Sequence, residues 1–220
     1  MSAAAPLAID VVSDVVCPWC FLGKRRLQRA IDAFGEPTIV RWRPYQLDPT
    51  IPKEGLDRKA YMQKKFGKDG RLAQVHERLH ALGRGVGIEF AFGAIKRSPN
   101  TLDAHRLIRW AQAAGAQDIV VERLFSLYFE QGRDIGDRQL LVEVAEEAGL
   151  DRARVAEALA DGRDVSEVQA EIAQAQAIGV SGVPFFIFAG RLAAPGAQDV
   201  TVLVEAMRQA GKTPRPTAVA

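Results

Sequence analysis

Cys17 and Cys20 are the only thiols in the 220-residue chain, separated by Pro18 and Trp19 alone. Such a pair could be a staple or a reactive site. As a staple it is weak, because a disulfide acts mainly by restricting the unfolded chain and gains with loop length. The smallest loops give about 2 kcal/mol on that relation, against about 4.7 kcal/mol for a 100-residue loop. A chain of this length, 48% hydrophobic and 25% charged, builds a packed core without such help. Reactivity is the better explanation.

The flanking residues say where the pair sits. Leu7 to Asp14, LAIDVVSD, is apolar and β-branched and reads as a buried strand. After Cys20 the pattern turns helical, with Gly23, Leu27, Ala30, Ile31 and Phe34 on one stripe and Gly35 as the stop. Pro18 suits the first helical position, where a missing N–H costs nothing, which makes Cys17 the N-cap. This spacing predicts an exposed Cys17 at the helix mouth and a sheltered Cys20 on the inward stripe. Free N–H groups and the macrodipole at a helix N-terminus stabilise an anion. The thiolate is the form that attacks disulfides, and a second cysteine three residues on lies within bonding range to resolve the mixed disulfide. The pair therefore reads as a redox switch.

Two other readings carry less. Cys-x2-Cys also opens zinc sites, and His76 and His80 place two imidazoles on one helical face. The 55 residues between Cys20 and His76 far exceed the roughly 12–15 of a zinc finger, and both histidines flank the apolar stripe Leu72, Val75, Leu79, Leu82. No metal site is expected. Two inert buried cysteines would be poorly placed at a strand-to-helix junction.

Charge and hydropathy narrow the setting. Twenty-nine basic against 27 acidic residues leave +2, too balanced to argue for nucleic acid or an anionic membrane surface. No apolar run approaches the roughly 18 residues of a membrane span. The opening MSAAAPLAIDVVSD lacks a basic region before its short apolar stretch, so a cytoplasmic address is expected.

The remaining elements follow in order. Pro37 to Leu47 reads as a second strand ending near Pro44, parallel to the first because a helix connects them. From Gly55 the patterns are helical for about 120 residues. One segment spans roughly Asp57 to Leu82, broken near FGKDG. Asn100 with Asp103 reads as a variant capping box before Ala104, Leu107, Ile108 and Ala111. Gln117 to Glu130 forms another helix, Asp137, Asp151 and Asp164 cap three more, and Gly149 and Gly179 stop two of these. Lys24, Arg25 and Arg26 oppose the helix dipole and read chiefly as a solvated basic face, although Lys24 could assist a thiolate. Strand character returns at Val183 to Gly190 and continues through RLAAPG. A last helix is expected from about Ala197 to Ala210, and the tail GKTPRPTAVA is expected to fray. The fold class is α/β: a thioredoxin-like fold, residues 1–54 and 180–220, with a large all-helical domain, 55–179, inserted after the second strand.

CPWC after a strand, WRPYQLDP, NTLDAHRL, GVSGVPFFIF and the later GAQ resemble the DsbA family of thioredoxin-like oxidoreductases. Within it they are similar to the FrnE-like branch, related to 2-hydroxychromene-2-carboxylate isomerases and kappa-class glutathione transferases. The resemblance runs from about Ile9 to Gln209. It implies that Cys17 is the nucleophile and Cys20 the resolving thiol. It also implies that Pro184 is a cis-proline facing them and that Val183 presents its backbone to substrate, with Pro18 and Trp19 completing the substrate-binding surface. The redox-active centre would be the Cys17–Cys20 disulfide itself. Glutathione enters as a ligand of the isomerase and transferase relatives. Those relatives generally carry serine at the attacking position, so the Cys17 of this chain favours redox chemistry. Their serine before Gly-Ala-Gln is Pro195 here, which removes a hydroxyl for a glutathione carboxylate. No catalytic role is assigned to Asn100 or to His105, which is read as sharing a polar helix face with Arg109.

The leading expectation is a thiol–disulfide oxidoreductase acting on protein or small-molecule disulfides. A glutathione-dependent isomerase or transferase and a non-catalytic adaptor on the same fold are the alternatives.

Overall fold

The computed structural model describes residues 5–67 and 69–212. The first strand, β1 (Leu7–Ser13), leads into α1 (Pro18–Phe34), which returns to β2 (Thr38–Pro44). β1 and β2 pair in parallel, with Leu7 opposite Thr38 and Ser13 opposite Pro44. The chain then passes through a short strand β3 (Leu56–Asp57), α2 (Arg58–Phe66), α3 (Arg71–Arg84) and a second short strand β4 (Arg97–Ser98). Next come α4 (Leu102–Ala111), α5 (Gln117–Phe129), α6 (Arg138–Glu147), α7 (Arg152–Asp161) and α8 (Val165–Ala177). The hairpin β5 (Phe185–Phe188) and β6 (Leu192–Pro195) follows, and α9 (Val200–Lys212) closes the described chain. The main sheet has the order β2-β1-β5-β6, with β5 antiparallel to β1 and β6 antiparallel to β5. This is the thioredoxin plan with a helical insertion after the second strand, and the insertion also carries the two-residue β3–β4 ladder.

The turn chemistry explains most boundaries. Gly35 ends α1 at φ 73, and its N–H reaches the Ile31 carbonyl, a left-handed cap that glycine adopts without steric cost. Ala189 and Gly190 turn the β5–β6 hairpin at φ 51 and φ 68, the paired positive values that match strand twist. The last helix begins at Val200 rather than Ala197, because Asp199 supplies the carbonyl that accepts from Leu203.

Two expected caps differ, at Asp164 and at Asn100. Asp137 and Asp151 do cap, accepting from Gln139 and Arg154. Asp164, at φ 59, makes no cap hydrogen bond, and its carboxylate instead accepts from the Trp110 indole at 2.7 Å. Asn100 does receive the Leu102 N–H, but α4 starts after Thr101. Asp103 therefore closes no capping box and pairs with Arg106 and Arg138.

One hydrophobic cluster runs through both the sheet and the insertion. Phe21 of α1 stacks on Phe125 at 5.1 Å and meets Phe90 edge-on at 6.1 Å, so the first turns of α1 are wrapped by helices as well as by sheet. Burial there extends beyond the expected stripe to Phe21, Leu22 and Lys24. The edge strand β2 is finished by a side chain: Gln117 accepts from the Trp42 N–H and donates to the Trp42 carbonyl, as a neighbouring strand would.

Arg106 is fully buried and ties α4 to α7. Its guanidinium donates to Asp103 Oδ1 and the Arg163 carbonyl, both at 2.6 Å, and to the Ala158 carbonyl. Ala158 lies in the last turn of α7, where free carbonyls and the dipole favour a cation. Arg106→Met should strand these acceptors and lower unfolding stability by about 3–5 kcal/mol. Urea titration should register this as a lower midpoint at unchanged slope.

Candidate active site

Cys17 occupies the N-cap of α1 in extended conformation, φ −95 and ψ 113, with Pro18 as the first helical residue. Its carbonyl accepts from the N–H groups of Cys20 and Phe21, and its own N–H donates to Asp14, so a tight turn fixes the pair between β1 and α1. Both cysteines are free thiols and both are buried. The expectation of an exposed Cys17 needs correction, since only 3% of it reaches solvent. The helical insertion roofs the helix mouth, which the local pattern around Cys17 could not reveal.

Across from the thiols the Val183–Pro184 peptide bond is cis. The Cys17 thiol donates a weak hydrogen bond to the Val183 carbonyl, Sγ to oxygen 3.6 Å. Pro184 passes so close to α1 that a Cβ on Gly23 would lie 2.9 Å from its Cγ and 3.2 Å from the Phe186 ring. Gly23 is thus the residue that lets this wall reach the thiols. Pro18 and Trp19 are half-buried, and the Arg78 guanidinium lies over the Trp19 ring at 5.5 Å.

Cys20 lies behind Cys17, only 1% exposed. Burial, reinforced by the neighbouring Cys17, raises its pKa well above the ordinary thiol range, with Ser13 and the Asp14 backbone pulling the other way. Cys20 is held as a thiol until a reaction calls on it.

Cys17, but not Cys20, lines a cavity of about 370 Å3. Its walls come from the β1–α1 turn, the loop after β2, α2, α3, the segment around Ser98 and the Gly182–Val183 turn. The lining is largely apolar, including Ile51, Met62, Phe66, Val75, Leu79 and Phe92, with Asp14, Asp48, Arg58, Tyr61, Lys65, His76, Ser98, Thr101 and Tyr128 as polar members. The Tyr61 hydroxyl donates to Asp48 and receives Lys65. Burial and the Asp48 carboxylate push the Tyr61 pKa up. The Thr50 hydroxyl holds the Asp48 carboxyl below its usual range. Burial raises Tyr128 to about 12, so its hydroxyl stays protonated and receives the Arg58 guanidinium at 2.9 Å.

His76 stacks on Phe92 at 4.0 Å, and His80 meets the same ring at 5.3 Å. Burial, then the charges of Arg58 and His80, lower the His76 pKa to about 4.

Beneath the cavity the motif segments meet. The buried Asp14 carboxylate accepts from Leu47 N–H at 2.8 Å, while its other oxygen faces His105 Nε2 at 3.4 Å. Gln46 donates to Asn100, and Asn100 donates to the Ile51 carbonyl. His105 does not share a polar face with Arg109; it is 3% exposed, pointing at Asp14. Lys24 likewise forms no solvated face: it is 7% exposed and held by Asp118 at 2.9 Å and Glu122 at 3.0 Å. Arg25 pairs with Glu122, and Arg26 with Asp199 and the Ala197 carbonyl, so these cations fasten α1 to α5 and to the entry of α9. Arg58, Tyr61 and Tyr128 escaped sequence reasoning because only the fold brings them to the thiols. The pairing of Asp14 with His105 lacked any periodic signal.

The fold and the thiol pair define the class: a thioredoxin-like protein with a Cys-Pro-Trp-Cys turn at a helix N-terminus. Residues 8–208 match the DSBA-like thioredoxin domain model, and the chain belongs to that family. It is 30% identical over 201 residues to the uncharacterized protein YwbO of Bacillus subtilis, covering 90% of this chain and 94% of that one. Among solved structures it is similar to a probable DsbA oxidoreductase of Streptomyces coelicolor, with TM-score 0.86, 30% identity and coverage of 97% and 94%. It shares its fold with a 2-hydroxychromene-2-carboxylate isomerase, TM-score 0.68 at 18% identity over 92% and 95% of the chains. It also shares it with the cytosolic disulfide reductase DsbM of Pseudomonas aeruginosa, TM-score 0.62 at 19% identity over 93% and 95%. Among the described residues, no helix is long and apolar enough to cross a membrane.

Two outcomes test this geometry. In an open helix interior Gly→Ala stabilises by about 1 kcal/mol, but Gly23→Ala should destabilise by about 1–3 kcal/mol through overpacking on Pro184. A lowered melting temperature with altered haloacetamide reactivity of Cys17 would register it. His76 binds its proton more weakly folded than unfolded, so its contribution to stability is complete above about pH 6.5 and is lost as pH falls toward about 4. His76→Phe should remove that part of the acid destabilisation, seen as a flatter plot of denaturation midpoint against pH.

Proposed function

We propose that the protein is a thiol–disulfide oxidoreductase in which Cys17 attacks and Cys20 resolves. The observation that carries this reading is the placement of Cys17 Sγ at the α1 N-cap, 3.6 Å from the Val183 carbonyl, with Cys20 behind it. The Cys17 thiolate attacks a substrate sulfur, the substrate disulfide breaks, and a mixed disulfide forms while the first thiol leaves. Cys20 then loses its proton and attacks Cys17 Sγ, releasing the second thiol and leaving the Cys17–Cys20 disulfide. The reverse sequence oxidises a dithiol. Pro18, Trp19, Val183 and Pro184 form the walls between which the reacting sulfur is aligned. The raised Cys20 pKa suits this order, because a thiol held protonated does not compete with Cys17 for the first attack.

The family match and the similarity to a probable DsbA oxidoreductase support thiol exchange over a non-catalytic role. The cytosolic reductase sharing this fold supports a cytoplasmic setting, and its occurrence with glutathione makes a low-molecular-weight thiol the proposed partner that resets the pair. Cys20→Ser should accumulate mixed disulfides through Cys17, resolved as mass adducts under non-reducing conditions, whereas Cys17→Ser should capture none. Full disulfide reduction by both variants would overturn the assignment.

A further inference from the structure

On that reading, the next question is what disulfide can reach Cys17. The thiol is 3% exposed and opens into a roofed cavity of about 370 Å3, room for about a dozen water volumes. α2 and α3 supply much of the roof, and Met62, Phe66, Leu72, Val75 and Leu79 turn an apolar lining toward the space. With Cys17 only 3% exposed at the base of this space, a disulfide held on a folded protein's surface meets it less readily than a small one that enters. Glutathione disulfide carries several carboxylates and ammonium groups, and each one desolvated here without a partner costs several kcal/mol.

The polar groups are few and asymmetric. Two cations line the space: Lys65 is exposed and donates to the Tyr61 hydroxyl, whereas the half-buried Arg58 guanidinium donates to the Tyr128 hydroxyl and, among the described residues, forms no ion pair with any carboxylate. The Asp48 carboxylate is engaged by Thr50 and Tyr61, and Asp14 is turned to Leu47 and His105. Ser98 follows the Asp57–Arg97 pair of the short ladder at the start of α2. Its hydroxyl is buried without a hydrogen-bond partner among the described residues, in a residue that lines the cavity. A half-buried cation without a carboxylate, beside the thiol in a largely apolar space, fits one anionic group.

We propose that the cavity binds a small organic disulfide with an apolar body and one anionic group, a carboxylate being the simplest, held by Arg58 while Cys17 attacks its sulfur. Cys17 forms a bond to one substrate sulfur and the substrate S–S bond breaks. The first thiol takes a proton as it leaves. Cys20 then displaces the second, so that two electrons pass from the dithiol to the substrate. The protein is left as the Cys17–Cys20 disulfide, and a cellular thiol reduces it again.

The test uses the reduced full-length protein in single-turnover kinetics with four disulfides: 4-(phenyldisulfanyl)benzoate, which carries one carboxylate, its uncharged amide, oxidised glutathione and insulin. Oxidation by the benzoate should saturate, with a half-saturation concentration about tenfold below that of the amide and a second-order rate constant above those of glutathione disulfide and insulin. Arg58→Gln should erase the carboxylate preference, about tenfold for one charge-assisted hydrogen bond, and Arg58→Lys should recover part of it. If Arg58→Gln fails to fold, Leu72→Trp, which narrows the cavity, should instead abolish saturation by 4-(phenyldisulfanyl)benzoate. Insulin or glutathione disulfide reacting faster, or a preference indifferent to Arg58, overturns this inference and leaves thiol exchange standing. Failure of all four disulfides to oxidise Cys17 and Cys20 overturns the oxidoreductase reading and this inference with it.

Discussion

Pro184 packs on Gly23, and the site depends on how closely that contact allows the chain before β5 to approach α1. A side chain at position 23 would meet the proline ring at 2.9 Å, so the absence of a Cβ sets the distance between the two walls around the thiols. From there the Pro184 carbonyl accepts from Gly196, which carries the chain into the β5–β6 hairpin. β5 in turn pairs with β1, the strand that delivers Cys17. Helix, wall and sheet are therefore mutually constrained, and the Val183 carbonyl is held beside Cys17 Sγ rather than left to a mobile loop.

Burying the start of α1 on every side has electrostatic consequences. Three consecutive cations near a helix N-terminus oppose the dipole, yet each is matched: Lys24 by two carboxylates, Arg25 by Glu122, Arg26 by Asp199. An unpaired Lys24 at 7% exposure would carry a large desolvation cost, and its pairing joins α1 to α5 instead. The same enclosure raises the Cys20 pKa and lowers that of His76, keeping both groups neutral near pH 7. The cavity thus presents a largely apolar surface, with Arg58 as its half-buried cation and Lys65 as an exposed one. The packing of the insertion against the α1 N-terminus shapes both the lining of the cavity and the protonation of its buried groups.

Much of the fold was legible in the sequence because the signals were local. The β-branched run of β1, Pro18 at the first helical position, Gly35 at the helix end and the aspartate caps at Asp137 and Asp151 act within a few residues. The parallel β1–β2 pair followed from a strand–helix–strand order with a short return. Where Asp164 failed as a cap, a distant partner, the Trp110 indole, took its carboxylate. Ion pairs with Arg106 and Arg138 did the same for Asp103.

By itself the sequence determined the thiol pair, its place at a helix N-terminus and the order of elements around it, because capping and periodicity are near-neighbour properties. Only the tertiary structure decided that Cys17 is covered, that His105 faces Asp14, and that Lys24 is buried among carboxylates. It alone brought Arg58 and Tyr128 to the cavity beside Cys17. Burial and pairing across the fold arise from packing between segments far apart in the chain. No window of neighbouring residues carries that information.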